Sequence, residues 1–115
     1  MKTIIAGSRD YSSVASIYSV LDAQLLVRPI TEVISGTARG PDSIGAIWAI
    51  ERNIPVTYFP ADWGRYGRGA GHIRNAQMAE YAEAVIIFWN GISSGTANMI
   101  NLARKRGLQL HIETI

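Results

Sequence analysis

Short apolar runs and stretches of helical spacing alternate along this chain from one end to the other. Thr3-Ile4-Ile5-Ala6 is an apolar run closed by Gly7, the pattern of a strand buried on both faces. Residues 12 to 27 place Val14, Ile17, Tyr18, Leu21 and Leu25 at helical spacing, with Asp10, Ser12 and Ser13 as candidate N-caps. Thr31 to Ser35 reads as the second strand, ended by Gly36. Gly40-Pro41 then opens a helix with Ile44, Ile47 and Trp48 as its apolar face, and Asn53 ends it. Pro55 to Phe59 is the third strand, and residues 60 to 70 form a Gly/Arg loop. A helix is expected over about 71 to 82. Ala84 to Trp89 is the most hydrophobic strand and is expected at the centre. A turn from Gly91 to Gly95, a helix over about 96 to 106 stopped by Gly107, and a last strand from Leu108 to Ile112 complete the pattern.

Strands that alternate with helices of this length imply right-handed βαβ units and a parallel sheet. The expected fold class is α/β: a Rossmann-like three-layer sandwich with a five-stranded, mainly parallel sheet. At 115 residues the chain suits one domain, and it shows no internal repeat, linker or low-complexity segment.

Composition narrows the picture slightly. A content of 48% hydrophobic and 17% charged residues fits a globular fold and excludes disorder. No apolar run approaches the roughly 18 residues of a membrane span. The apolar N-terminal run is too short for a signal peptide, so a cytoplasmic location without membrane partners is expected. With no cysteine there are no disulfides and no thiol chemistry. Net charge is only +2, too little for a strong nucleic-acid signal by itself, but residues 61 to 75 set Arg65, Arg68 and Arg74 against Asp62 alone. That excess equals the net charge of the whole chain. The run Arg104-Lys105-Arg106 complements a helix C-terminus.

In a parallel sheet, ligands sit beyond the carboxyl ends of the strands, so the loops there carry the chemistry. They read Gly7-Ser8-Arg9-Asp10, Gly36-Thr37-Ala38-Arg39-Gly40-Pro41-Asp42, Ala61-Asp62-Trp63 and Asn90-Gly91-Ile92-Ser93-Ser94-Gly95-Thr96. Glycine lets backbone approach a ligand, and each following helix start offers N–H groups and a positive dipole end to phosphate. Hydroxyls add donors, and arginine adds a forked charge. Any one such loop is ordinary strand-to-helix turn chemistry; several on one edge, two of them with arginine, point to a phosphate-bearing ligand. Neither the P-loop ending Gly-Lys-Ser/Thr nor the full dinucleotide glycine set is present, which disfavours a kinase or an ordinary NAD enzyme.

Gly64, Gly67, Gly69 and Gly71 fall within eight residues, and the helix after them places Gly71, Arg74, Asn75, Met78 and Ala82 on one face. Arg74, Asn75 and Met78 are therefore expected to wall the site. Trp63 and Tyr66 would either stack on a base or cap the core. Catalytic candidates are few. His72 and His111 stand alone, no spacing resembles a metal cluster, and no serine has an evident base. Asp42 and Asp62 are the carboxylates near strand ends. In a first helical turn Asp42 complements the helix dipole; turned to a ligand it would accept from a ribose hydroxyl or act as a general base.

The collinear set Gly7-Ser8-Arg9-Asp10, Ser35-Gly36-x-Ala38-Arg39-Gly40-x-Asp42, Ala61-Asp62-Trp63, Ala70-Gly71-x-x-Arg74-Asn75-x-x-Met78 and Ser94-Gly95-Thr96-x-x-Met99 resembles the YspA/YpsA-related branch of the SLOG superfamily over nearly the whole chain. The resemblance implies a Rossmann-like fold and binding of nucleotides or nucleotide-derived ligands. It implies that Gly7, Ser8, Arg9, Gly36, Thr37, Ala38, Arg39, Gly40, Asp42, Arg74, Asn75, Gly95 and Thr96 line the ligand site. LOG-type phosphoribohydrolases of the superfamily carry a Gly-Gly-x-Gly-Thr loop followed closely by glutamate. Here Ile92-Ser93-Ser94-Gly95-Thr96 is followed by Ala97, Asn98 and Met99, so the phosphate loop is retained in outline and the acid is missing.

Three readings follow. The leading one is a nucleotide-binding domain acting as sensor or carrier, with no certain cofactor beyond that ligand. The second is a hydrolase of nucleotide N-glycosidic bonds that uses Asp42 or Asp62. The third is single-stranded nucleic-acid binding through Trp63, Arg65, Tyr66 and Arg68. A homo-oligomer with a contact on an exposed Trp48 or Tyr81 helix face is also expected.

Overall fold

The structure is a computed structural model that describes residues 1–115. Its strands are β1 (Lys2–Gly7), β2 (Glu32–Ser35), β3 (Val56–Tyr58), β4 (Ala84–Trp89) and β5 (Gln109–Thr114). Its helices are α1 (Val14–Val27), α2 (Pro41–Glu51), α3 (Trp63–Tyr66), α4 (Ala70–Tyr81) and α5 (Ser94–Lys105), with a 3-10 turn over Gly67–Gly69. The sheet order is β3-β2-β1-β4-β5, and every pairing is parallel, so the sheet is wholly rather than mainly parallel.

Period-two alternation divides the core between the two faces of the sheet. Ile4, Val85 and Ile87 point to one face and pack with Met78 and Ala79 of α4 and Met99, Ile100 and Ala103 of α5. Ile5, Ile86 and Phe88 point to the other and pack with Ile17 and Leu21 of α1 and Trp48 and Ala49 of α2. Trp48 is therefore wholly buried, not an exposed contact face, and its indole N–H donates to Asp22 Oδ1 at 2.9 Å. Of the expected α2 face, Ile47 instead points to solvent. Tyr81 is partly exposed, and its hydroxyl donates to Glu32 at 2.7 Å.

Residues 60 to 70, expected as a loop, contain α3 and the 3-10 turn. Asp62 caps α3 by accepting from the Arg65 amide at 3.1 Å, and Gly67 ends it at φ 57°.

α2 lies close to β1 because Gly45 carries no side chain. A Cβ there would sit 2.5 Å from Ile5 Cγ2 and 2.9 Å from Ile5 Cβ. Gly45→Ala gains up to about 1 kcal/mol of helix propensity. Overpacking against a stiff β-branched neighbour costs about 1–3 kcal/mol. The clash prevails, and thermal unfolding of the variant is expected several degrees below the wild type. An unchanged or raised Tm would show that α2 shifts freely on the sheet.

Candidate functional site

The order 3-2-1-4-5 reverses direction between β1 and β4, and an open α/β sheet forms its crevice at that switch point. Gly7 ends β1 opposite Phe88 of β4. A Cβ on Gly7 would lie 2.5 Å from the Phe88 carbonyl oxygen and 2.7 Å from Pro41 Cγ. Glycine there lets the first turn of α2 close on the strand ends. Ser8 is buried behind this junction. Its amide donates to the Phe88 carbonyl at 2.9 Å, and its hydroxyl accepts from the Asn90 amide at 3.2 Å. Ser8 thus ties the two loops together and does not line the cleft.

Beyond the strand ends is a cleft of about 330 Å³. Its floor is Ala6 and Gly7, and the start of α5 forms one wall. Asn90 Oδ1 accepts from the Ile92 and Ser93 amides, and Ser93 caps α5 through Thr96. The Ser94 and Gly95 amides keep no partner within the protein. A Cβ on Gly95 would meet nothing within 4 Å, so the approach to these donors is open. This is the geometry of an anion site at a helix start.

Arg74 and Asn75 form the opposite wall from the first turns of α4, both buried. Arg74 Nε donates to Asn75 Oδ1 at 3.0 Å, and Nη1 donates to the Gly36 carbonyl. Asn75 Nδ2 in turn donates to the Gly95 carbonyl at 3.2 Å and to Asn98 Oδ1 at 3.0 Å. The chain Gly36–Arg74–Asn75–Gly95 therefore fixes α4 against the loops after β2 and β4. Burial lowers the Arg74 pKa from its usual value, opposed by the charge of Asp42; arginine stays protonated through any ordinary pH.

Asp42, in the first turn of α2, lines the same cleft and is only 5% exposed. Burial pushes its pKa up to about 6, against the pull of Arg74 and of the Ala38 and Gly7 amides. A Cβ on Gly36 would lie 2.8 Å from both Arg74 Nη1 and Asp42 Oδ2. Glycine at 36 lets the two charges share one site, where they do not close an ion pair within 4.0 Å.

A second depression of about 500 Å³ adjoins the first, with Gly36, Thr37, Arg39, Pro60 and Ala61 on its own walls. Thr37 takes φ 66°, an uncommon conformation for a β-branched residue. Ser35 holds it there: its hydroxyl accepts from the Thr37 amide at 3.2 Å and donates to the Asp42 carbonyl at 3.1 Å. Gly40, at φ 77°, shapes the turn into α2 and lines neither depression.

The fold thus brings Gly7, Arg9, Ala38, Asp42, Trp63, Arg74, Asn75, Gly95 and Thr96 to one cleft, and Gly36, Thr37 and Arg39 to its neighbour. Four expected site residues line neither depression: Ser8 and Gly40, as above, and Met78 and Asp62. Met78 is 1% exposed in the core, because one turn along α4 the face that carries Arg74 has passed beneath the sheet edge. Asp62 is exposed, caps α3 and lines neither depression. The sequence reading missed His72, Ser93 and Ser94 as site residues and gave Arg68 only to the nucleic-acid reading. The arginine excess over 61 to 75 and the loop after β4 were the available signals.

Fold and site together define a Rossmann-like α/β domain with a cationic crevice at its topological switch point. The chain belongs to the YspA, cpYpsA-related SLOG family, whose model matches residues 1–66. It is also 31% identical to the Gene 61 protein of Mycobacterium phage D29 over 114 residues, covering 93% of this chain and 91% of that protein. No helix is long and apolar enough to cross a membrane.

Proposed function

We propose that this protein binds a phosphate-bearing nucleotide or nucleotide-derived ligand at the carboxyl ends of its strands, as a sensor or carrier. One observation carries the reading: Arg9, Arg68 and Arg74 converge with the unpartnered Ser94 and Gly95 amides on a single cleft. Charge-assisted donors and a helix start together recognise phosphate oxygens. Family membership supports a nucleotide-related ligand. Calorimetry against nucleoside mono- and diphosphates, NAD and ADP-ribose is expected to find at least one ligand with Kd tighter than about 1 mM, or roughly −4 kcal/mol. A flat response across the panel would refute the reading.

A second reading is favoured by Asp42. A buried carboxyl with a pKa of about 6, facing a cleft, is poised to exchange protons near neutral pH. It would serve a hydrolase of nucleotide N-glycosidic bonds, in place of the glutamate that this chain lacks after Thr96. Asp62, committed to capping α3, is a poor substitute. Wild-type protein incubated with nucleoside monophosphates would release free base, and Asp42→Asn would not. Release at equal rates by both would end this reading. For single-stranded nucleic acid the geometry offers less: the Arg65 guanidinium lies 5.1 Å over the Tyr66 ring, on a face that a stacked base would need.

A further inference from the structure

The two depressions adjoin as the inner and outer parts of a groove. They share Arg9, Ala38, Trp63 and Arg74 on the carboxyl edge of the sheet. The inner part holds about 330 Å³ and the outer about 500 Å³. Small-molecule sites span roughly 300–1,000 Å³, so the inner part alone is at the low end of that range.

Positive charge is spread along this length rather than gathered at one point. Arg68 borders only the inner part, with the Ser94 and Gly95 amides. Arg39 borders only the outer part, beside Thr37. Arg9 and Arg74 stand where the parts meet. The single carboxylate, Asp42, lines the inner part alone. One phosphate seated at the start of α5 would engage the inner donors and leave the outer end cationic and unfilled. The outer end also holds Thr37 in its left-handed conformation, and backbone kept in such a region concentrates at ligand clamps. Trp63, half exposed, borders both parts and offers a ring face between them.

We propose that the groove takes a nucleotide derivative with phosphoryl groups in two places, one at the start of α5 and one against Arg39 and Thr37. This rests on the phosphate-binding reading above and narrows its ligand class. The required chemistry is two phosphoryl groups in two places. Two phosphoryl groups on separate ribose carbons, as in adenosine 3′,5′-bisphosphate, meet this requirement, whereas those of ADP-ribose share one bridging oxygen and occupy a single place. Specificity against a mononucleotide then arises at the outer end, where only a second phosphoryl group finds Arg39.

The test is calorimetry with AMP, ADP-ribose and adenosine 3′,5′-bisphosphate, and with the matching guanine series, on the wild type and on Arg39→Ala. At least one 3′,5′-bisphosphate is expected to bind about tenfold or more tighter than its mononucleotide, and Arg39→Ala to reduce that ratio to about threefold or less. A preference for ADP-ribose over AMP that depends on Arg39 as strongly would overturn the proposal, because adjacent phosphoryl groups would then suffice. Mononucleotides that bind as tightly as their bisphosphates would overturn the proposal and leave phosphate binding standing. A wild-type preference that survives Arg39→Ala would overturn it as well. Absence of binding across both series would remove this proposal and the reading beneath it together. Circular dichroism and the Tm of Arg39→Ala, an exposed position, control for folding.

Discussion

Asp42→Asn is expected to make the protein more stable at pH 8 and no more stable at pH 4. The carboxyl of Asp42 ordinarily titrates at 3.8, and burial raises it to about 6 in the folded protein. The folded state therefore holds a proton on Asp42 through the window from about pH 4 to pH 6, where the unfolded chain has lost it. Stability falls with rising pH wherever the native state binds more protons. The part contributed by Asp42 is thus present below pH 4 and lost by about pH 6 and above. A shift of this size corresponds to on the order of 3 kcal/mol. Asparagine keeps the shape and one acceptor but never ionises, so the variant escapes the cost of a buried charge near neutral pH. The groups that face Asp42 oppose this rise: Arg74 and the Gly7 and Ala38 amides favour its ionised form, but desolvation exceeds them. Urea denaturation at pH 4, 6 and 8 checks this. Parallel pH profiles for wild type and variant would show that the Asp42 carboxyl is solvated.

Much of the fold was legible because it is written in runs. β4 spans the same residues, Ala84–Trp89, that the sequence reading marks out, since a strand covered on both faces needs a continuous apolar segment. Gly36 and Pro41 bracket the turn into α2 as their chemistry requires. What escaped was short or tertiary. α3 has four residues, fewer than periodicity can reveal, and its existence depends on the Asp62 side chain capping it. Trp48 lies on a helix that packs against the sheet and against α1 together. Only the presence of Asp22 as a partner for its indole N–H allows full burial.

The site divides in the same way. Loops that follow strands announced themselves by position, so Gly7, Ala38, Asp42, Gly95 and Thr96 could be placed at one edge before any coordinates. Met78 could not, because helical spacing gives the face and not the depth. At one turn from Arg74 the same face has left the cleft for the core. The elevated pKa of Asp42 was equally hidden. It depends on how many atoms surround the carboxyl, and nothing in the local sequence counts them.

Arg74 is the residue whose loss the site is least able to absorb. Its Nε and Nη1 are engaged by Asn75 Oδ1 and the Gly36 carbonyl, and the side chain borders both parts of the groove. Arg74→Ala removes the cation shared by both parts and leaves the Gly36 carbonyl and Asn75 Oδ1 without their donors. It also takes from Asp42 the charge that most lowers its pKa. Truncating one member of a buried, hydrogen-bonded charged arrangement costs about 2–5 kcal/mol. Ligand affinity is therefore expected to fall by about a hundredfold or more. Arg74→Lys separates charge from geometry. Lysine keeps the cation but is a point donor without the fork, so it cannot hold Asn75, Gly36 and a phosphate oxygen at once. It is expected to recover only part of the lost affinity. The measurement is calorimetry with the best ligand of the panel, beside the Tm of each variant. Affinity of Arg74→Ala within about threefold of wild type, with the fold intact, would show that the anion sits elsewhere on the sheet edge. Full recovery by lysine would show that charge alone matters there. Partial recovery would fit a guanidinium that joins the loops after β2 and β4 into one site while presenting its remaining N–H donors to the ligand.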